Sequence, residues 1–288
     1  MKFLYKIPGY ILLLFGGFCL SWGGLIIRSF EEATVWQILL LRSVFFMIAL
    51  MFFLIATYKK NTIKIIKDAG FPAVIGGLVM SLSFIAFVVS MSITSVANVV
   101  FIISTQTMFL AIFGYFYLKE KVSLISFFSI VLAMGGITIM VGDSLSTGSF
   151  FGNIIALAIP INFSILVMII RKNKNLDMVP AIFYSGIFSI IYGLILSESL
   201  VFTSHDILMG FFLGVPQLSF GFICITIGSR TTPSTTIGLL MLTETLFAPV
   251  WVWLFLNEIP PMSVIIGGLV IISAIILKSS DKKTVEKT

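Results

Sequence analysis

The chain has 288 residues, of which 59% are hydrophobic and 10% charged, and its mean hydropathy is +1.15. Soluble domains carry about 25% charged residues and need polar surface cover that this composition lacks, so a soluble fold is excluded. The formal net charge of +6 invites a nucleic-acid reading, which the placement of the basic residues removes below.

A bilayer core of about 30 Å is crossed by about 20 apolar helical residues. Lys2 and Lys6 precede a run that stays apolar to Ile27 without a small-residue cleavage pattern, so it predicts a membrane helix, not a signal peptide. The predicted windows, in chain order, are 9–27, 34–57, 72–93, 96–117, 123–142, 149–170, 179–197, 207–228, 234–256 and 262–278. The runs are continuously apolar and do not alternate, which selects helices over a β-barrel. The connections are short, with no room for a soluble domain. The tail from Lys278 to Thr288 reads as a solvated end.

With the N-terminus placed inside the cell, the inner segments hold 16 of the 18 basic residues: Lys2, Lys6, Lys59, Lys60, Lys64, Lys67, Lys119, Lys121, Arg171, Lys172, Lys174, Arg230, Lys278, Lys282, Lys283 and Lys287. The outer connections hold Arg28 with the acids Glu31, Glu32, Asp143, Glu198, Asp206 and Glu258. This asymmetry follows the positive-inside rule. It explains the basic balance without nucleic acid, predicts that both termini are cytoplasmic, and suits a bacterial inner membrane. The remaining basic residue, Arg42, lies within a window.

Cys19 and Cys224 sit in apolar runs without metal-ligand or CxxC spacing, and His205 is alone in a predicted loop. A zinc site, a disulfide framework and a bound cofactor are therefore not expected. No GxxxxGK[ST] pattern is present, so the chain is not expected to hydrolyse ATP.

The stretch from Val96 to Val122 and that from Ser234 to Pro260 both start small and polar, turn apolar, and end in aromatics followed by a glutamate. Aligning Glu120 with Glu258 sets an offset of 138, which also places Gln106 on Glu244. Two repeats follow, 1–145 and 146–288, each of five helices. An odd number makes the second copy enter from the opposite side. The predicted fold class is thus an all-α integral membrane protein with ten transmembrane helices as two inverted five-helix repeats.

These endings, with Ser21-Trp22-Gly23 in the first window and Trp36 to Arg42 in the second, resemble the drug/metabolite transporter superfamily, EamA-type permeases and exporters. The resemblance spans roughly residues 9–278. It implies a ten-helix carrier with a central cavity, often for amino acids or related metabolites, working as an exporter. One departure is visible. Where such repeats have a proline in the fourth helix, the second copy has Pro249 and the first has Ala111.

Seven residues are candidates for substrate binding or coupling. Arg42 and Glu244 fall near mid-depth of their windows. A charge there costs about 2.5–3.5 kcal/mol and needs a cavity or a partner. They are expected to pair with each other or separately with backbone carbonyls, and a pair that opens to a zwitterion would do both jobs. Glu244 can also bind a proton. Gln106 is its repeat partner, with interhelical glue as the alternative role. Asn162 and Gln217 neighbour Pro160 and Pro216, which kink helices and free carbonyls. Trp22 and Trp251 offer aromatic walls or cation–π faces, though a deep tryptophan more often packs.

Ser185, Ser189 and Tyr192 form one polar stripe, either lining a path or bonding a neighbour helix. Gly210 and Gly214 form a GxxxG compatible with a homodimer, although intrachain packing uses the same spacing.

The leading reading is a secondary carrier of a small polar metabolite, an amino acid or similar zwitterion. A structural or signalling membrane subunit predicts that Arg42 and Glu244 are dispensable for any flux. An intramembrane enzyme needs a nucleophile, metal or acid–base pair that the lone His205 and two isolated cysteines scarcely offer.

Overall fold

A computed structural model describes residues 2–94, 96–141, 150–256 and 262–279. After a 3-10 turn at Lys2–Lys6, the helices are α1 (Gly9–Leu20), α2 (Gly23–Arg28), α3 (Val35–Tyr58), α4 (Thr62–Ile93), α5 (Val96–Ser104), α6 (Gln106–Leu118) and α7 (Leu124–Val141). They continue as α8 (Phe150–Lys172), α9 (Val179–Leu196), α10 (Ser204–Phe212), a π-helical segment Leu213–Ser219, α11 (Phe220–Ser229), α12 (Ser234–Met241), α13 (Thr243–Leu256) and α14 (Met262–Ser279). Glu258, Asp143 and the tail beyond Ser279 lie outside the described residues.

Among the described residues, seven stretches are long and apolar enough to cross a membrane, one of them Val35–Ile93, whose 59 residues hold both α3 and α4. Leu124–Ile139 and Met262–Lys278 are shorter apolar helices. Helices suit this composition because each satisfies its own backbone hydrogen bonds without water.

Three expectations are corrected. The basic connection before residue 72 is helical from Thr62, with the chain redirected at Gly70 (φ 56°). Lysine and isoleucine continue a helix well enough, and charge alone had kept them out of the apolar window. His205 and Asp206 are not in a loop but open α10, where the Thr203 hydroxyl accepts the Asp206 N–H at 3.0 Å. Buried Asp206 in turn accepts the Glu31 and Glu32 N–H groups at 3.0 and 3.3 Å. Lys278 is buried, its Nζ donating to Ser126 Oγ at 2.7 Å, because α14 runs on to Ser279 beside α7.

Glycines set the closest approaches. A Cβ on Gly214 would stand 2.5 Å from the Arg42 carbonyl, and one on Gly210 would stand 2.8 Å from Leu41 Cβ. The GxxxG is therefore filled by α3 of the same chain. Ser185 and Ser189 are likewise buried; Ser185 donates to the Ile182 carbonyl at 2.7 Å, so this stripe packs. The main core gathers Leu13, Leu39, Phe46, Leu50, Leu166 and Ile182, all fully buried.

Candidate functional site

Three of the helical rods are broken in mid-course, and the breaks build the site. Between α5 and α6 the Thr105 hydroxyl donates to the Ile102 carbonyl at 2.6 Å. At the start of α13, just past its break from α12, the Thr243 hydroxyl donates to the Leu240 carbonyl, also at 2.6 Å. The two threonines are 138 residues apart. Each takes a carbonyl three residues back, in competition with the helix ladder. Directly after each threonine stands a polar residue, Gln106 or Glu244. The third break, at Ser21 and Trp22, separates α1 from α2 and leaves the Leu20 carbonyl to accept Gln217 Nε2 at 3.1 Å.

Arg42, Gln106, Gln217 and Glu244 line one cavity. The rest of its wall is largely aromatic and aliphatic, including Phe84, Phe87, Phe163, Phe222, Met80 and Met241. Arg42 is 1% exposed and donates from one terminal nitrogen to the Phe84 carbonyl at 2.7 Å. Its guanidinium lies 5.1 Å from the Phe84 ring centre and 5.7 Å from that of Phe87, within cation–π range. No ion pair joins Arg42 to Glu244 among the described residues. Of the two expected arrangements, Arg42 shows the backbone-carbonyl one. Arg42 Nε remains without a partner.

Gln217 sits in the π-helical segment beside Pro216, which widens the turn. Gly23 lets its amide approach, since a Cβ there would stand 2.9 Å from Nε2. Gln217 Oε1 is buried without a partner. The partly buried Glu244 side chain and the buried Gln106 amide make no hydrogen bond to another described residue.

The wall repeats itself. Met80 and Leu218, Phe84 and Phe222, Ile103 and Met241, and Gln106 and Glu244 all line the cavity, and each pair is 138 apart. The Phe84 and Phe222 rings meet edge to face at 5.5 Å. The charges fall where this repetition fails. Glu244 corresponds to Gln106, and the position 138 beyond Arg42 is Pro180.

Trp22, Asn162 and Trp251 are not on the cavity wall. Trp22 and Trp251 stack on each other at 3.9 Å, and Trp251 Nε1 donates to Ser21 Oγ at 2.7 Å. Phe18, Phe247 and Phe255 pack around them. Asn162 is partly buried; its neighbours Ile159 and Phe163 take the wall, because one residue along a helix turns the side chain by about 100°. Sequence reasoning missed Ser83, Phe84 and Phe87 on the wall and the two threonine breaks. The offset of 138 would have located Phe84, Phe222, Thr105 and Thr243 together.

The basic end of the bundle is closed by polar contacts. Arg171 pairs with Glu120 and also donates to the Ser229 carbonyl at 3.3 Å and to that of Thr232. Tyr5 donates to Asp177 at 2.6 Å, and Tyr58 bonds both. Burial, then the Asp177 carboxylate, pushes the Tyr5 phenol well above its usual pKa, so it stays a donor. Among the described residues no group of three His, Cys, Asp or Glu is placed to hold a metal.

A relative from Clostridium kluyveri (strain ATCC 8527 / DSM 555 / NBRC 12016 / NCIMB 10680 / K1), called an uncharacterized transporter, is 25% identical over 233 residues, 75% of this chain and 74% of its own. A solved crystal structure superposes with a TM-score of 0.81 at 14% identity, covering 97% of this chain and 99% of the other, which shows a shared fold. The sequence profile of the EamA-like transporter family matches twice, over residues 7–142 and 150–280. With both halves matched, this multi-pass membrane protein belongs to the EamA-like transporter family.

Proposed function

We propose that this transporter carries a small dipolar metabolite, an amino acid or related zwitterion, by alternating access. The observation behind this reading is that polar side chains lining one largely apolar cavity carry unpaired atoms of both kinds. Arg42 Nε is an orphan donor, Gln217 Oε1 an orphan acceptor, and the Glu244 carboxylate has no bonded partner among the described residues. Buried polar groups left alone cost about 1–3 kcal/mol each. A ligand with an anionic group for Arg42 and an ammonium for Glu244 and Gln217 would recover that cost. The Phe and Met wall takes its apolar body.

The chain is read as ten spans in two inverted repeats, 1–145 and 146–288, with both termini cytoplasmic in an inner membrane. The doubled profile match, the pairs at offset 138 and the basic end of the bundle support this layout. Glu244 is suited to carry a coupling proton, being the one acidic side chain among the described residues on the cavity wall. Export is the direction that the family resemblance favours.

The test is thermal stabilisation of purified protein by amino acids, nucleosides, polyamines and organic acids, followed by radiolabelled uptake into liposomes. A zwitterion is expected to stabilise wild type and not Glu244→Gln. Stabilisation by a simple acid or amine alone, or equally in both proteins, would reject the dipolar site.

A further inference from the structure

Lys59 and Gly70 are two of three described residues with positive φ, at 52° and 56°. They bracket a segment that ordinary helix continuation does not explain, since a lysine at positive φ is strained. The segment is nonetheless fixed. The Thr62 hydroxyl donates to the Lys59 carbonyl at 2.8 Å and lies 3.3 Å from that of Leu54, and Ala69 is buried in the main core. From this rigid base Lys59, Lys60, Lys64 and Lys67 all project into the exposed surface, with Asp68 as the sole acid among residues 59–71. Beside them stand two exposed apolar side chains, Ile63 at 68% and Phe71 at 74%. Ile63 is four residues before Lys67, so the two share a helix face.

We propose that residues 59–71 form a docking surface for anionic phospholipid headgroups. Lysines on long stems reach headgroup phosphates while their apolar stems stay along the acyl boundary. Ile63 and Phe71 have a place in that boundary, whereas a free phosphate in solution gives them none. The segment runs from the end of α3, which carries Arg42, into the first turns of α4, which further on carries Phe84 and Phe87. A bound lipid therefore steadies two walls of the cavity. The proposal needs only that the chain lies in a membrane, and it stands or falls apart from the substrate reading.

The full chain, purified into neutral detergent, is titrated with phosphatidylglycerol, phosphatidylcholine or inorganic phosphate while its thermal midpoint is read. Phosphatidylglycerol is expected to raise the midpoint by about 3 °C or more, with the rise reduced in high salt. K60Q/K64Q/K67Q should lose most of that rise, while K119Q/K121Q/K174Q keeps it. Equal effects of the two lipids, an equal effect of phosphate alone, or equal losses in the two triple variants would overturn the proposal. A fluorophore on Ile63→Cys gives a second reading that does not depend on stability. It should be quenched more by brominated phosphatidylglycerol than by brominated phosphatidylcholine, and equal quenching would sink the idea.

Discussion

The Glu120 carboxylate accepts the Ser234 backbone N–H at 2.9 Å, so the end of α6 caps the start of α12 while also holding Arg171. The two jobs separate by mutation. Glu120→Gln keeps an acceptor for the cap and loses the ion pair, which is partly exposed and worth about 0–1 kcal/mol. Glu120→Ala loses both, and the cap adds about 1 kcal/mol. Unfolding in detergent is expected to rank wild type above Glu120→Gln above Glu120→Ala. An alanine variant as stable as the glutamine variant would show that the cap contributes nothing.

Arg42 should be expendable for folding and necessary for binding. Replacing a buried charge by an apolar isostere is often neutral or stabilising. Arg42→Met is therefore expected to unfold within about 1 kcal/mol of wild type, or later, and to lose stabilisation by any ligand found on the panel. A large loss of stability would mark Arg42 as structural cement.

The repeated cavity wall leads to a swap experiment. Glu244→Gln removes the carboxylate, and Gln106→Glu returns one at the position 138 residues earlier. The double variant is expected to bind the ligand about tenfold more tightly than Glu244→Gln alone, or ~1.4 kcal/mol. Full recovery is not expected, since Arg42 has no counterpart at Pro180. No gain over the single variant would mean that positions 106 and 244 do not face the same ligand.

Backbone conformation sets two changes of opposite sign. Gly70 has φ 56° and ψ −156°, a region essentially reserved for glycine, so Gly70→Ala should destabilise by about 1–3 kcal/mol. Lys119 is left-handed at φ 58°, closing α6 with a bond from the Glu120 N–H to the Gly114 carbonyl at 3.0 Å. That position favours glycine, and Lys119→Gly should stabilise by up to about 1 kcal/mol. Thermal midpoints of the two variants check both signs.

Much of the helical layout was legible because lipid demands continuous apolar runs, and Arg42 and Glu244 were legible because charge inside such a run is costly. Helix rotation was not. In α8 or α13 both faces are apolar, so no stripe tells which way Asn162 or Trp251 points. Trp22 and Trp251 looked like cavity walls and instead stack on each other. Thr105 and Thr243 were hidden for another reason. A threonine in an apolar window reads as ordinary helix, and its hydroxyl's choice of a carbonyl three residues back is made in three dimensions. Lys278 was misread because a single charge at the end of a run looks like solvent.

The packing of α7 on α14 has a further consequence. Gly136 sits where a Cβ would meet the Gly267 carbonyl at 2.9 Å and Ile271 Cγ1 at 3.0 Å, and Ala133, Ile137, Ile271 and Ala274 share one small buried cluster separate from the main core. Ala133 and Ile271 are 138 apart, as are Gly136 and Ala274. Each helix thus offers the other equivalent positions, which is the form of an isologous seam between two subunits. A seam of that kind does not require a peptide link across it. Two half-chains, cut between Val141 and Phe150 and made in the same cell, would have in α7 and α14 a ready surface on which to reassemble.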